Sequence, residues 1–147
     1  MDINRFKVIE TTSEDTIDKI ISECDSAFAF PVKMRKEYPL LLKKISKNAY
    51  FAYAYKEIVL GYIAFYANDT INAYISLIAV NPQFQGQHIG SELLKYCENK
   101  SKDKGIRNVR LEVKRENRRA ISFYQNHGYQ WESDKDEASI YMIKCIC

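Results

Sequence analysis

Residues 74–94 read YISLIAVNPQFQGQHIGSELL, and where this stretch is divided decides the fold. It continues the β-rich run INAYISLIAV, a strand that must stop at Asn81-Pro82 because proline brings no N–H to a ladder. Beyond the loop, Ile89, Leu93, Leu94 and Cys97 recur at helical spacing, Lys100, Lys102 and Lys104 complement the C-terminal end of the dipole, and Gly105 suits a left-handed cap. Strand, loop and helix therefore follow in order, the helix opening near His88 or Ile89. Its first-turn N–H groups lack partners inside the helix, and the dipole adds roughly half a positive charge there. Gly86 and Gly90 carry no Cβ, so a phosphate oxygen can approach the backbone, while Gln85 and Gln87 add side-chain donors. A plain strand-to-helix turn would also use glycine, so the six residues Gln85 to Gly90 alone leave both readings open.

Outward from this point the periods alternate. Upstream, Phe6 to Ile9 predict a short strand, and Thr12 or Ser13 with Glu14 and Asp15 predicts a helix start. Ile17, Ile20, Ile21, Cys24 and Phe28 then form one helical stripe. Pro39 cannot sit inside a helix, so AFPVKMRKEYPLLLKKISKN reads as an irregular piece and then a helix from Pro39. Phe51, Tyr53 and Tyr55 alternate with Ala52 and Ala54, and Lys56-Glu57 turns that strand into IVLGYIAFY, a hairpin closed by a further turn at Asn68-Asp69. Downstream, NVRLEV alternates Val109, Leu111 and Val113 against Arg110, Glu112 and Lys114. Asn117 starts a short helix through Ile121 and Tyr124, closed by Gly128, and Tyr129 to Glu132 and Ser139 to Ile143 supply two last strands. The order predicts a mixed α/β (α+β) domain, helices covering a central sheet, over residues 1–147 as one unit.

Composition narrows the partners. Hydrophobic residues at 46% and charged ones at 28% suit a globular chain, and no low-complexity tract suggests a linker or tail. The N-terminal MDINRFKVIE has neither the basic flank nor the apolar core of a signal peptide, and no segment reaches the roughly 18 apolar residues of a membrane helix, so a cytoplasmic protein without membrane contact is expected. A net charge of +3 is too mild to argue for nucleic acid, but it tolerates an anionic ligand. Cys24, Cys97, Cys145 and Cys147 show no paired CxxC spacing, which predicts reduced thiols and no metal; Cys145 and Cys147 alone could share a strand face.

Three quoted pieces, LIAVNPQFQGQHIGSELL, RLEV and NRRAISFYQNHGY, together resemble the GNAT N-acetyltransferase superfamily, whose motif is Gln or Arg, two residues, Gly, one residue, then Gly or Ala. The resemblance runs from Tyr74 to Trp131 and extends to the N-terminal third only through element order. It implies a mostly antiparallel central sheet flanked by helices, the acyl-CoA N-acyltransferase fold. It also implies acetyl-coenzyme A as co-substrate and no metal, direct transfer of the acetyl group to a primary amine, and an acceptor that is an amine-bearing small molecule or a protein. By the same resemblance, Ile78, Ala79 and Val80 would pair with the pantetheine arm through backbone groups. The amides of Gln85, Gly86, Gln87, His88, Ile89, Gly90 and Ser91 would hold the pyrophosphate. Asn117 would contact the cofactor near its thiol end, and Tyr124, on the same helix face, would protonate the departing thiolate. His88 departs from the family, standing where the first motif glycine usually lies, and its Cβ restricts the loop.

The chemistry asks for a neutral amine, a polarised carbonyl and a proton for the thiolate. A phenol with a pKa near 10 stays protonated at neutral pH, which suits Tyr124. A backbone N–H near Val80 is the candidate for the carbonyl oxygen. No base is assigned: Glu112 is expected to be a surface residue paired with Arg110 or Lys114. The run Lys114-Arg115-Glu116-Asn117-Arg118-Arg119 reads as solvated surface more than as a 3′-phosphate contact, and Phe51, Tyr53 and Tyr55 as core more than as an acceptor wall. A non-catalytic module that binds coenzyme A or a protein on the same fold is the alternative function. A monomer or homodimer fits either.

Overall fold

A computed structural model describes residues 6–147. Strands β1 (Lys7–Glu10), β2 (Tyr50–Lys56), β3 (Ile58–Tyr66), β4 (Asn72–Val80), β5 (Asn108–Lys114), β6 (Gln130–Asp134) and β7 (Ser139–Cys145) form one sheet in the order β1-β2-β3-β4-β5-β7-β6. Helices α1 (Glu14–Cys24), α2 (Tyr38–Asn48), α3 (Ile89–Asp103) and α4 (Arg118–Asn126) connect them. Every neighbouring strand pair is antiparallel except β4 with β5. A mixed sheet covered by helices is the architecture that the element order predicts, and its mostly antiparallel pairing is what the family resemblance implies. No helix among the described residues is long and apolar enough to cross a membrane.

Local chemistry sets the boundaries. Ser13 Oγ accepts the Thr16 N–H at 3.2 Å and caps α1, with Glu14 and Asp15 complementing its dipole. Ile17, Ile20, Ile21 and Cys24 are buried as the stripe requires, but Phe28 lies outside the helix, in extended backbone after one 3-10 turn. The cause is the buried Asp25, whose carboxylate accepts the N–H groups of Val32 at 2.8 Å and Lys33 at 3.1 Å and so draws the chain out of the helix into a closed loop. Helix α2 starts one residue before Pro39, where the missing N–H costs nothing. Glu57 takes φ 64° in the tight β2–β3 turn, and Gly105 and Gly128 adopt the left-handed conformation that ends α3 and α4.

Two apolar layers sandwich the sheet. Leu93, Leu94 and Cys97 of α3 pack with Ala52, Leu60, Ile63, Phe65, Val109 and Leu111 on one face. Ile17, Ile21, Leu42 and Ile45 of α1 and α2 pack with Phe51, Tyr62, Ala64, Leu77 and Ala79 on the other. Burying side chains of this size stabilises by about 1.5–3 kcal/mol each. Of the three alternating aromatics, Phe51 is core, stacked on Tyr62 with centroids 5.2 Å apart; Tyr53 is half-buried and Tyr55 exposed.

One irregularity matters most. Along β3–β4 the register passes from Phe65↔Ile75 to Ala64↔Leu77, so Ser76 is an extra residue in β4, a bulge. Ala73 and Ile75 therefore face α3, while Leu77 and Ala79 face α1. Parallel pairing with β5 runs from Asn72↔Asn108 to Ile75↔Leu111 and goes no further. Past the bulge β4 and β5 diverge, and the sheet opens into a wedge. Gly61 lets the far half of β4 lie close on β3: a Cβ there would come within 2.7 Å of the Ala79 carbonyl oxygen.

Candidate active site

The wedge is the floor of a cleft of about 1400 Å³ that reaches both faces of the sheet. On the α3 face it is lined by Val80, the loop before α3, and Asn117, Phe123 and Tyr124 of the α4 region. On the α1 face it is lined by Phe28, Phe30, Met34 and Arg35, with Tyr74, Glu112 and Lys135 opposite. Among the residues singled out from sequence, Ile78, Ala79, Val80, Gln85, Gly86, His88, Ile89, Gly90, Ser91, Asn117 and Tyr124 all border this cleft; Gln87 is exposed and does not.

From Gln85 to Ser91, no backbone N–H finds an acceptor among the described residues; the first to do so is Glu92, which donates to the His88 carbonyl at 3.1 Å. That leaves a run of free donors at the head of a 15-residue helix, a physical fit for a pyrophosphate. Gly86 takes φ 81° with nothing within 4 Å of where a Cβ would stand, so its role is conformational. Gly90 has a different reason: a Cβ would meet Phe123 Cζ at 3.0 Å, so its absence serves helix packing rather than the approach of a phosphate. His88 adopts φ 67°, ψ 12° as the residue before α3, exposed and making no side-chain cap bond. It is an L-residue in a glycine conformation.

Ser91 and His127 form a pair that sequence reasoning missed. His127 Nδ1 lies 2.7 Å from the Phe123 carbonyl oxygen, to which it donates, so Nε2 accepts the Ser91 hydroxyl, also at 2.7 Å. They stand 36 residues apart, and no short-range signal connects them. Asn117 caps α4, Oδ1 accepting the Ala120 N–H at 3.1 Å, which leaves its Nδ2 donors unused. Tyr124 packs edge-on against Phe123 and Tyr129 and is only 8% exposed. Burial pushes its phenol well above the ordinary tyrosine value, so it is protonated at any physiological pH.

On the α1 face, Glu112 is partnered by neither Arg110 nor Lys114. Its Oε1 accepts from Lys135 Nζ at 2.9 Å, while Arg110 is taken by Glu132 at 2.7 Å and lies 3.9 Å over the Tyr141 ring. Period two placed Arg110 and Glu112 on one strand face, but Lys135 arrives from the β6–β7 loop, 23 residues on. The basic run also divides. Lys114, Asn117 and Arg119 border the cleft, whereas Arg115 turns away to Asp134 at 2.7 Å. At the end of β7 the Cys145 and Cys147 sulfurs are 3.0 Å apart, and no group of three or more His, Cys, Asp or Glu among the described residues is placed to hold a metal.

Comparison with known proteins follows the same lines. The family model described as "Acetyltransferase (GNAT) family" matches residues 15–129. A thialysine N-epsilon-acetyltransferase from Bos taurus is 36% identical over 76 residues, covering 49% of this chain and 45% of that protein. An uncharacterised ycf52-like N-acetyltransferase from Prochlorococcus marinus is 35% identical over 74 residues, covering 50% of this chain and 39% of its own. The matched stretch thus spans less than half the length of either relative. Among solved structures, the PaiA N-acetyltransferase of Thermoplasma acidophilum in complex with coenzyme A superposes with a TM-score of 0.73 at 21% identity over 95% of this chain and 99% of that one. The ribosomal-protein-S18-alanine N-acetyltransferase of Escherichia coli gives 0.77 at 19% identity over 95% and 94%. At such identities these two establish the fold.

Proposed function

Because the chain belongs to the acetyltransferase (GNAT) family, we propose that it moves an acetyl group from acetyl-coenzyme A directly onto a primary amine, across the wedge between β4 and β5. The observation that carries this reading is the divergence of the two strands past Ile75 and Leu111, with unpaired loop amides at one mouth and a polar, aromatic chamber at the other. The cofactor enters from the α3 face, its pyrophosphate on the Gln85–Ser91 amides, and the Thermoplasma neighbour's complex with coenzyme A supports that choice of ligand. Its pantetheine arm runs along Ile78 to Val80, where β4 has no β5 partner, and Asn117 offers Nδ2 near the thiol end. The acceptor enters from the α1 face.

The amine lone pair attacks the thioester carbonyl, the C–S bond breaks, and the leaving sulfur takes the proton of Tyr124. A more basic phenol is a weaker acid, but a thiolate leaving into the same desolvated cleft is also more basic, so the two remain matched. Sequence alone assigned no base. Glu112, the β5 carboxylate that borders the α1 side of the cleft, takes the amine's proton in this reading, and Lys135 holds it in place.

Release of free thiol from acetyl-coenzyme A in the presence of a pool of amines tests this. Tyr124→Phe is expected to lower kcat by about 10²–10⁴ with coenzyme A affinity unchanged. Undiminished release in that variant removes Tyr124 as the acid. Binding of coenzyme A with no release for any amine favours the non-catalytic module.

A further inference from the structure

Two described arginines are half-buried. Arg110 has its carboxylate, Glu132, at 2.7 Å. Arg35 has none among the described residues: its guanidinium carbon lies 5.9 Å from the Phe28 ring centroid, and its side chain borders the cleft on the α1 face. The other described arginines, at positions 107, 115, 118 and 119, are exposed, and Arg115 is paired with Asp134. A guanidinium withdrawn from water without an anion is an unfavourable arrangement that a bound anion would relieve. Arg35 is also close enough to act on the sheet beneath it, since its charge works against the burial that drives the Tyr62 phenol up.

Its surroundings hold it there. The loop before it is tied to α1 by Asp25, which accepts the Val32 and Lys33 N–H groups, and the turn after it by Tyr38, whose hydroxyl donates to Asp18 Oδ1 at 2.6 Å. The Arg35 N–H donates to the Val32 carbonyl at 3.1 Å and its own carbonyl accepts from Tyr38 at 3.0 Å. A guanidinium fork carried on this fixed backbone, over Phe28 and in a cleft also lined by Phe30 and Met34, suits a planar or tetrahedral anion attached to a partly apolar body. Of the two carboxylates that line the cleft, Glu112 is already occupied by Lys135, and Glu37 forms no ion pair with Arg35.

Resting on the reading of the cleft as an acetyl-transfer site, we infer that the acceptor is a small amine that also carries an anionic group, and that Arg35 binds that group while the amine faces Tyr124. Carboxylate and phosphate monoester share the chemistry a guanidinium fork recognises, and the experiment separates them.

Matched pairs supply the probes: L-phenylalanine with phenethylamine, L-lysine with cadaverine, and O-phosphoethanolamine with ethanolamine. Each is titrated calorimetrically into the protein with and without saturating coenzyme A, and each is assayed for thiol release, in wild type, Arg35→Lys and Arg35→Gln. In at least one pair, the member that carries the carboxylate or phosphate is expected to bind about 10- to 100-fold tighter than its mate without that group, the preference lying in KM. Arg35→Gln should erase that preference without changing binding of the member that lacks the anionic group or of coenzyme A, and Arg35→Lys should restore part of it. Equal binding within every pair overturns the inference, as does an Arg35→Gln loss that falls equally on both members. Failure of the acetyl-transfer reading looks different: anion preference persists in the titrations while no probe releases thiol.

Discussion

His88 is where a single residue carries most of the tension between sequence and backbone. It occupies φ 67° with a Cβ, exposed, at the head of α3. For an L-residue that conformation costs roughly 1–2 kcal/mol, whereas glycine reaches it freely but loses about 0.5–1 kcal/mol more chain entropy on folding. His88→Gly is therefore expected to raise stability by up to about 1 kcal/mol, or about 2–4 °C in Tm, and to leave coenzyme A affinity intact or improved. Thermal unfolding decides it: a variant that melts lower would mean the imidazole makes a stabilising contact. The departure from the family motif was legible in the sequence, as was the restriction a Cβ imposes. The reason for Gly90 was not, because Phe123, which fills the space a Cβ would take, lies 33 positions away in the chain and reaches it only through packing of α4 on α3.

At the scale of elements, two carboxylates fix the loop between α1 and α2, which lines the side of the cleft proposed for the acceptor. Asp25 accepts two backbone N–H groups, so Asp25→Ala should cost about 2–3 kcal/mol in denaturant unfolding and raise the acceptor KM, while the KM for acetyl-coenzyme A stays within about twofold. An unchanged unfolding midpoint would show that the loop does not depend on it. Asp18 acts in a pH-dependent way. The Tyr38 hydroxyl, and after it the Lys33 charge, hold its carboxyl below the ordinary 3.8 despite some desolvation. A folded pKa below the unfolded one contributes stability that is full above about pH 5 and is lost as pH falls through the folded value. Asp18→Asn should therefore lower stability at pH 6 by less than about 1 kcal/mol, since the group is partly exposed, and the gap to wild type should narrow from about pH 4 downward and close as pH falls through the lowered folded value. A gap that stays constant from pH 6 to pH 3 rules out the linkage. Element positions were largely readable because period 2 and period 3.6 dominate this chain. Phe28 was misplaced since a helical spacing cannot reveal that Asp25 captures downstream amides. The Ser76 bulge left no mark either, as INAYISLIAV stays β-rich straight through it.

For the molecule as a whole, the proposed function rests on one break in one sheet. The bulge sends β4 away from β5, and the gap joins an amide-lined mouth on the α3 face to the Arg35 and Glu112 chamber on the α1 face. The residues proposed to hold the cofactor could be singled out in the sequence because they are contiguous, 78 to 91, or share the start of one short helix, α4 (Arg118–Asn126), with its cap Asn117. The side of the cleft proposed for the acceptor is assembled from the α1–α2 loop, β4, β5 and the β6–β7 loop, whose encounter depends on tertiary structure. The claim on which everything else stands is that the free amides from Gln85 to Ser91 grip a pyrophosphate. Calorimetric titration of coenzyme A beside pantetheine, which shares the thiol arm and lacks the pyrophosphate, tests it. Saturable one-to-one binding of coenzyme A, with about 2.7 kcal/mol of added stability at a hundredfold excess over Kd and at least 100-fold weaker binding of pantetheine, is the predicted result. No coenzyme A binding at millimolar concentration, or pantetheine binding equally well, would contradict it.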